Sequence, residues 1–207
     1  MAGLLGRKIG MTQVFAPNGD VVPVTVIQAG PCTVLEVLAG KSALKIGFEE
    51  IREDRLKKPQ QGYFKKIDRA PRRYVREVVF ADAAGYQAGQ ELTTGLFKAG
   101  DYVDVTGRSK GHGFTGMVKR WKASRFPVSH GHPKQRLPGS QGSSATPGHV
   151  YKGKHLPGRS GGVQRTIQSL EVVQVRPEEN LIMLKGAVPG ARSGLLLVRT
   201  SKKRAEK

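Results

Sequence analysis

Toward both ends of the chain, short runs alternate apolar with polar residues, the period-two signature of half-buried strands. "IGMTQVF" and "VVPVTVI" flank Asn18-Gly19, a pair that tolerates the positive φ of a tight turn, so residues 9–27 predict a hairpin. "CTVLEVLA" and "ALKIGFEEI" alternate on either side of "GKS", and "YVREVVF" and "DYVDVTG" follow. Further on, "QSLEVVQV", a polar "RPEEN" and "LIMLKG" predict a second hairpin, with "GLLLVRT" beyond it. Short strands joined by close turns place the chain in the mainly β class, as a barrel or a sandwich. Arg52 to Arg73 breaks the rhythm and reads as part of a surface insertion, and "SKKRAEK" (201–207) as a solvated tail.

The middle of the chain follows no such period. "FTGMVKRWKASRF" sets Phe114, Met117 or Val118, and Trp121 at helical spacing, with Lys119, Arg120 and Lys122 turned elsewhere. Gly116 costs about 1 kcal/mol relative to alanine, so the predicted helix is short. Beyond it glycine and proline recur too often for helix or sheet, and a stretch so long without an apolar pattern either serves a function or orders on a partner. Residues 125–162 are therefore expected to be mobile in the free protein.

Charge sharpens this division. Thirty-five lysines and arginines stand against sixteen acids, a formal net charge of +19. Every acid lies at or before Asp104 or at or after Glu171, so residues 105–170 carry no carboxylate. The same span holds twelve of the cations and all five histidines, and the rest of the chain carries only +7. An excess of this kind suits a chain that lies against a polyanion, where each phosphate contact releases counterions. Trp121 and Tyr151 are candidates to stack on bases. Trp121 has a second reading, as the anchor of the short helix on the barrel.

Other chemistry finds little support. The single cysteine, Cys32, has no partner for an intramolecular disulfide or a cysteine zinc site, and its apolar surroundings predict a buried thiol. No apolar run approaches the length of a membrane span and the first residues lack a signal-peptide pattern, so a reduced, cytosolic protein is expected. "GHGFTG" (111–116) matches the dinucleotide fingerprint literally, yet no acidic residue follows to hold a ribose. "GHVYKGKH" (148–155) starts like a phosphate-binding loop but has His155 where a magnesium-ligating hydroxyl belongs. His130 and His132 have no cysteine or carboxylate nearby to complete a metal site, and Ser129 has none to orient His130 as a base. Hydrogen bonding to backbone or RNA is the preferred reading of these histidines.

"GLLGRKIGMTQVF", "GRSKGHGFTGMVKRW", "SHGH", "RLPGSQGSSATPGHVYKGKHLPGRSG" and "NLIMLKGAVPG" occur in this order across nearly the whole chain. Together they resemble the ribosomal protein L three family of the bacterial large subunit. The resemblance implies a translation-protein-type six-stranded β-barrel with a surface insertion and a long extended basic loop. It also implies binding to large-subunit (23S) rRNA, a role in assembly near that RNA's 3′ end, and neighbours such as ribosomal proteins L fourteen and L nineteen. A scaffold of this kind needs no cofactor, metal, membrane or small-molecule substrate, and peptide bond formation belongs to the RNA.

On this reading residues 1–45 begin the barrel, 46–92 form an insertion subdomain, 93–110 supply the middle of the barrel, 111–163 form an RNA-penetrating arm with a short helix, and 164–207 complete the barrel and end in a basic tail. The residues expected at RNA are Arg7, Lys8, Arg108, Lys110, His112, Lys119, Arg120, Trp121, Lys122, Arg125, His130, His132, Lys134, Arg136, Tyr151, Lys152, Lys154, His155, Arg159 and Arg165. The arm tip, Gly139, Ser140, Gln141, Gly142, Ser143, Ser144, Ala145, Thr146 and Pro147, is expected nearest the peptidyl transferase centre. Many bacterial members carry a methylated glutamine where this chain has Ser143, with Gln141 two positions away, so the modification does not carry over. Two rivals remain: a nucleotide-using enzyme, marked by tight magnesium-dependent ATP or NAD binding, and a DNA-compacting protein, marked by equal affinity for duplex DNA and rRNA.

Overall fold

The computed structural model describes residues 2–204. In chain order its strands are β1 (Gly3–Phe15), β2 (Val21–Ala29), β3 (Cys32–Leu38), β4 (Ala43–Glu50), β5 (Arg72–Val79), β6 (Glu91–Leu92), β7 (Tyr102–Arg108), β8 (Gly111–Thr115), β9 (Gly158–Gly161), β10 (Gln164–Arg176), β11 (Leu181–Lys185) and β12 (Leu195–Thr200). Helix α1 (Lys58–Ile67) falls between β4 and β5, and α2 (Met117–Trp121) between β8 and β9. The chain forms two compact units, one of Met1–Ser109 with Gln164–Lys207 and the other of Lys110–Val163.

In the first unit six antiparallel strands close into a barrel in the order β1-β12-β7-β10-β11-β2. Closure removes the unpaired edges an open sheet would expose. Leu4, Ile27, Val105, Ile182, Leu184, Leu196 and Val198 are fully or almost fully buried, and burying each such side chain is worth about 1.5–3 kcal/mol. Both expected hairpins are present. Between β1 and β2 the Gly19 N–H donates to the Ala16 carbonyl at 2.9 Å, with Gly19 at φ +84 as the turn requires. Between β10 and β11 Asn180 takes the left-handed conformation that returns the chain.

The alternating runs on either side of "GKS" are strands as expected, and they pair with each other in a sheet separate from the barrel, with the order β5-β4-β3-β6. Val34, Leu44, Ile46, Val78 and Phe80 of this sheet and its margins share one buried cluster with Leu4 and Leu5 of β1. Successive strand residues face opposite ways, so a strand with both Leu4 and Leu5 buried is covered on two sides. Cys32 lies fully inside this cluster and its thiol donates to the Leu5 carbonyl at 3.4 Å. The segment that broke the strand rhythm contains α1, which the sequence pattern did not reveal. Pro59 suits its first turn, and Phe64 is its one buried residue.

A buried carboxylate on β7 bonds to the chain on both neighbouring sides. Asp104 on β7 is 2% exposed and accepts hydrogen bonds from the backbone N–H of Ser169, at 2.9 Å, and of Lys202, at 3.4 Å. Ser169 sits at positive φ where the β10–β7 register shifts between Ile167 and Leu170, so the carboxylate satisfies a donor that the bulge takes out of the ladder. The expected solvated tail therefore needs correction at its start. Ser201 is buried and its N–H donates to the Tyr102 carbonyl at 2.9 Å; residues 202–204 are exposed, and 205–207 lie outside the described residues.

Asp104→Ala should lower unfolding free energy in urea by about 1–3 kcal/mol, because it leaves two part-buried backbone donors without a charged acceptor; a change under about 0.5 kcal/mol would contradict this role. Burial pushes the Cys32 thiol from 9.0 up to about 12. Between those values the unfolded thiol has ionised and the folded one has not, so the Cys32 contribution to stability falls as pH rises. At mild alkaline pH a soluble thiol reagent should label the native protein only as fast as it opens, and denaturant should accelerate labelling; prompt stoichiometric reaction would contradict the burial.

Candidate nucleic-acid interface

The second unit starts where β8 pairs antiparallel with β9, aligning Gly111 with Gly161, Phe114 with Arg159 and Thr115 with Gly158. A strand within Gly158–Gly161 departs from the expectation of neither helix nor sheet in this stretch. Glycine is what permits it: a Cβ on Gly161, at φ +70, would collide with the Lys110 carbonyl oxygen, which instead accepts the Gly162 N–H at 3.2 Å.

The predicted helix is shorter than its pattern. Helix α2 covers Met117–Trp121 and ends at Lys122 in the left-handed conformation. Phe114 does not join its apolar face; it lies in β8, 80% exposed. Trp121 stacks on His155, with ring centroids 4.1 Å apart and 7° between planes. Its indole N–H donates to the Leu156 carbonyl at 3.0 Å, and Arg120 Nη1 donates to the same oxygen at 2.8 Å. The tryptophan thus ties α2 to residues 155–156 of its own unit.

Beyond α2 the contacts are local. Phe126 stacks on His132 at 4.9 Å, the Phe126 N–H donates to the Gln135 carbonyl at 3.1 Å, and the Lys134 N–H donates to His132 Nδ1 at 3.2 Å. At the tip, Ser140 Oγ donates to the Gly142 carbonyl at 3.0 Å and Gln141 Nε2 to the Gly139 carbonyl at 2.7 Å. His149 meets Tyr151 edge to face at 5.6 Å. Within Lys110–Val163, Thr115 alone is buried.

Lys110, His112, Lys119, Lys122, Arg125, His130, Lys134, Arg136, Tyr151, Lys152, Lys154, His155 and Arg159 are all exposed on this unit. It contains no acid, so none of its lysines or arginines can be neutralised from within it. In the barrel unit, Arg108 and Arg165 are exposed on the adjacent strands β7 and β10. In that same barrel unit, two further expected RNA residues make contacts within the protein. Arg7 pairs with Glu49 at 2.8 Å. Lys8 is 9% exposed, and its ammonium donates to the Val188 carbonyl at 3.1 Å. The sequence reading left Phe114 and Phe126 out of the site, although both are exposed aromatic rings on the basic unit; their position inside the carboxylate-free span is the signal that marks them.

A family model described as Ribosomal protein L3 matches residues 73–179. The large ribosomal subunit protein uL3 of Geobacillus kaustophilus is 51% identical over 209 residues, covering 99% of this chain and 98% of the relative. That of Bacillus cytotoxicus is 52% identical over 200 residues, 95% of each chain. That of Brachyspira pilosicoli is 44% identical, over 100% of this chain and 97% of its own length. A barrel with an acid-free unit inserted between two of its strands is thus matched along its whole length, and the chain belongs to the ribosomal protein L3 family.

Proposed function

We propose that Lys110–Val163 is an arm that binds large-subunit (23S) rRNA, and that RNA supplies the interior this unit lacks. As a member of its family, the chain is a structural constituent of the large ribosomal subunit, in the cytoplasm. The observation that carries the finer reading is the coincidence of two properties in one unit: a single buried residue, Thr115, and no carboxylate. Ordering an extended segment costs roughly 1–2 kcal/mol per residue, and without a core the compensation comes from contacts made outside the chain. Phosphates offer them to ten lysines and arginines in the unit. The exposed rings of Tyr151 and Phe126 offer faces for bases, worth about 1–3 kcal/mol where a base stacks.

In this reading the barrel holds the arm at the subunit's RNA, the arm runs toward the peptidyl transferase centre with Gly139–Pro147 foremost, and binding near the 3′ end of the RNA supports early assembly. Proteins of the L fourteen and L nineteen families are the expected neighbours. The local hydrogen bonds of Ser140 and Gln141 support a tip that keeps its turn while its surroundings are RNA. The arm lines a route and performs no chemistry.

Replacing Lys152, Lys154 and Arg159 with glutamine should weaken binding to large-subunit rRNA and flatten the salt dependence by about one unit of log slope per lost phosphate contact. Filter binding across a salt series measures this, with duplex DNA at equal salt as the comparison. An unchanged slope, or equal affinity for the duplex, would contradict the reading.

A further inference from the structure

Beside β8 and α2, and wholly within the basic unit, lies a cavity of about 470 Å³ lined by His112, Phe114, Thr115, Lys119 and Arg136, among others. Its volume falls within the range of small-molecule sites. Phe114 is 80% exposed, and no ring of the protein stacks on it among the described aromatic contacts. Thr115, the one buried residue of the unit, is 7% exposed, and its hydroxyl has no hydrogen-bond partner. A buried hydroxyl without a partner is costly, and Thr115 is among the residues that line the cavity. Lys119 and Arg136 bring two cations to the same cavity, and the unit has no acid to oppose them.

A ligand that satisfies all of these at once has a flat apolar body for the Phe114 ring, a polar edge for the Thr115 hydroxyl and an anion for Lys119 and Arg136. A nucleotide has each of these parts. A stacked helix does not, because its bases face one another rather than a side chain. An acidic peptide would meet the cations, but no unmodified amino-acid residue joins a flat ring, a polar edge and an anion in one unit as a nucleotide does. We propose that this cavity receives a single unstacked nucleotide of the RNA, its base on Phe114 and its phosphate between Lys119 and Arg136. The proposal rests on the RNA-binding reading of the arm and adds to it one base-reading position.

The test uses the full chain and full-length large-subunit rRNA, comparing the natural protein with Phe114→Ala, Phe114→Leu and Phe114→Tyr. Each complex is probed by chemical modification of the bases and by filter binding across salt. With Phe114→Ala and Phe114→Leu, one protected base should become reactive and affinity should fall about 5- to 150-fold, with the salt slope unchanged; Phe114→Tyr should retain both protection and affinity. Because the side chain is exposed, circular dichroism of the variants should match the natural protein, and Phe114→Leu keeps apolar bulk so that only the ring is removed. Protection and affinity unchanged in both ring-less variants would overturn the cavity while leaving RNA binding by the arm intact. No binding by the natural protein would overturn both. Loss of a neighbouring protein from assembled subunits with every base unaffected would mean a peptide occupies the cavity, and the proposal falls. Free adenosine and uridine monophosphates should leave the footprint in place; binding of either here, with no base of the RNA protected, would overturn the assignment to RNA.

Discussion

One electrostatic constraint governs the chain: the cations of Lys110–Val163 have no carboxylate within their own unit. In the barrel unit charge is mixed, and lysines and arginines find acids, as Arg7 finds Glu49, Lys45 finds Glu36 and Lys185 finds Glu171. In the inserted unit like charges repel and no apolar core offsets the repulsion. Its order at rest depends on small devices: a short glycine-rich strand pair, the Trp121–His155 stack, the two donors on the Leu156 carbonyl, and turns closed by their own side chains. Such devices fix a local path and leave nearly every side chain available to a partner.

The barrel unit has the opposite physics. Its strands close on themselves, its apolar residues share a cluster with the second sheet, and its irregularities are compensated. The bulge on β10 meets Asp104, and the buried ammonium of Lys8 meets a carbonyl. Local order within the inserted unit matters for binding an extended segment, because each residue already ordered is one whose entropy is not lost on association. A stable fold that carries an unshielded basic insertion is the division of labour seen here, and it matches a protein that is a structural part of a ribonucleoprotein particle.

Much of this was legible in the alternation of apolar residues. "IGMTQVF" and "VVPVTVI" became β1 and β2, "LIMLKG" became β11, and Cys32 is buried as its neighbours implied. What escaped is what depends on distant parts of the chain. Nothing in "GLLGRKIG" announces that the Lys8 ammonium meets the carbonyl of Val188, or that Ser201 opens a basic tail yet packs against Tyr102. Helix α1 was hidden because its single buried residue, Phe64, gives no periodic stripe. Phe114 has helical spacing to Trp121 but pairs as a strand with Arg159, because the glycines on both sides allow close approach. At the candidate interface, the absent acids could be read directly, while the convergence of Phe114, Thr115, Lys119 and Arg136 on one cavity required coordinates.

Hydrogen exchange of the full chain, measured alone and bound to large-subunit rRNA, tests the central claim most directly. Amides of residues 125–162 should exchange rapidly in the free protein while barrel amides such as those of β7 and β12 stay protected, and RNA should slow the first set without altering the second. Strong protection of 125–162 without RNA, or no change on adding it, would show that this unit has an interior of its own and would contradict the account.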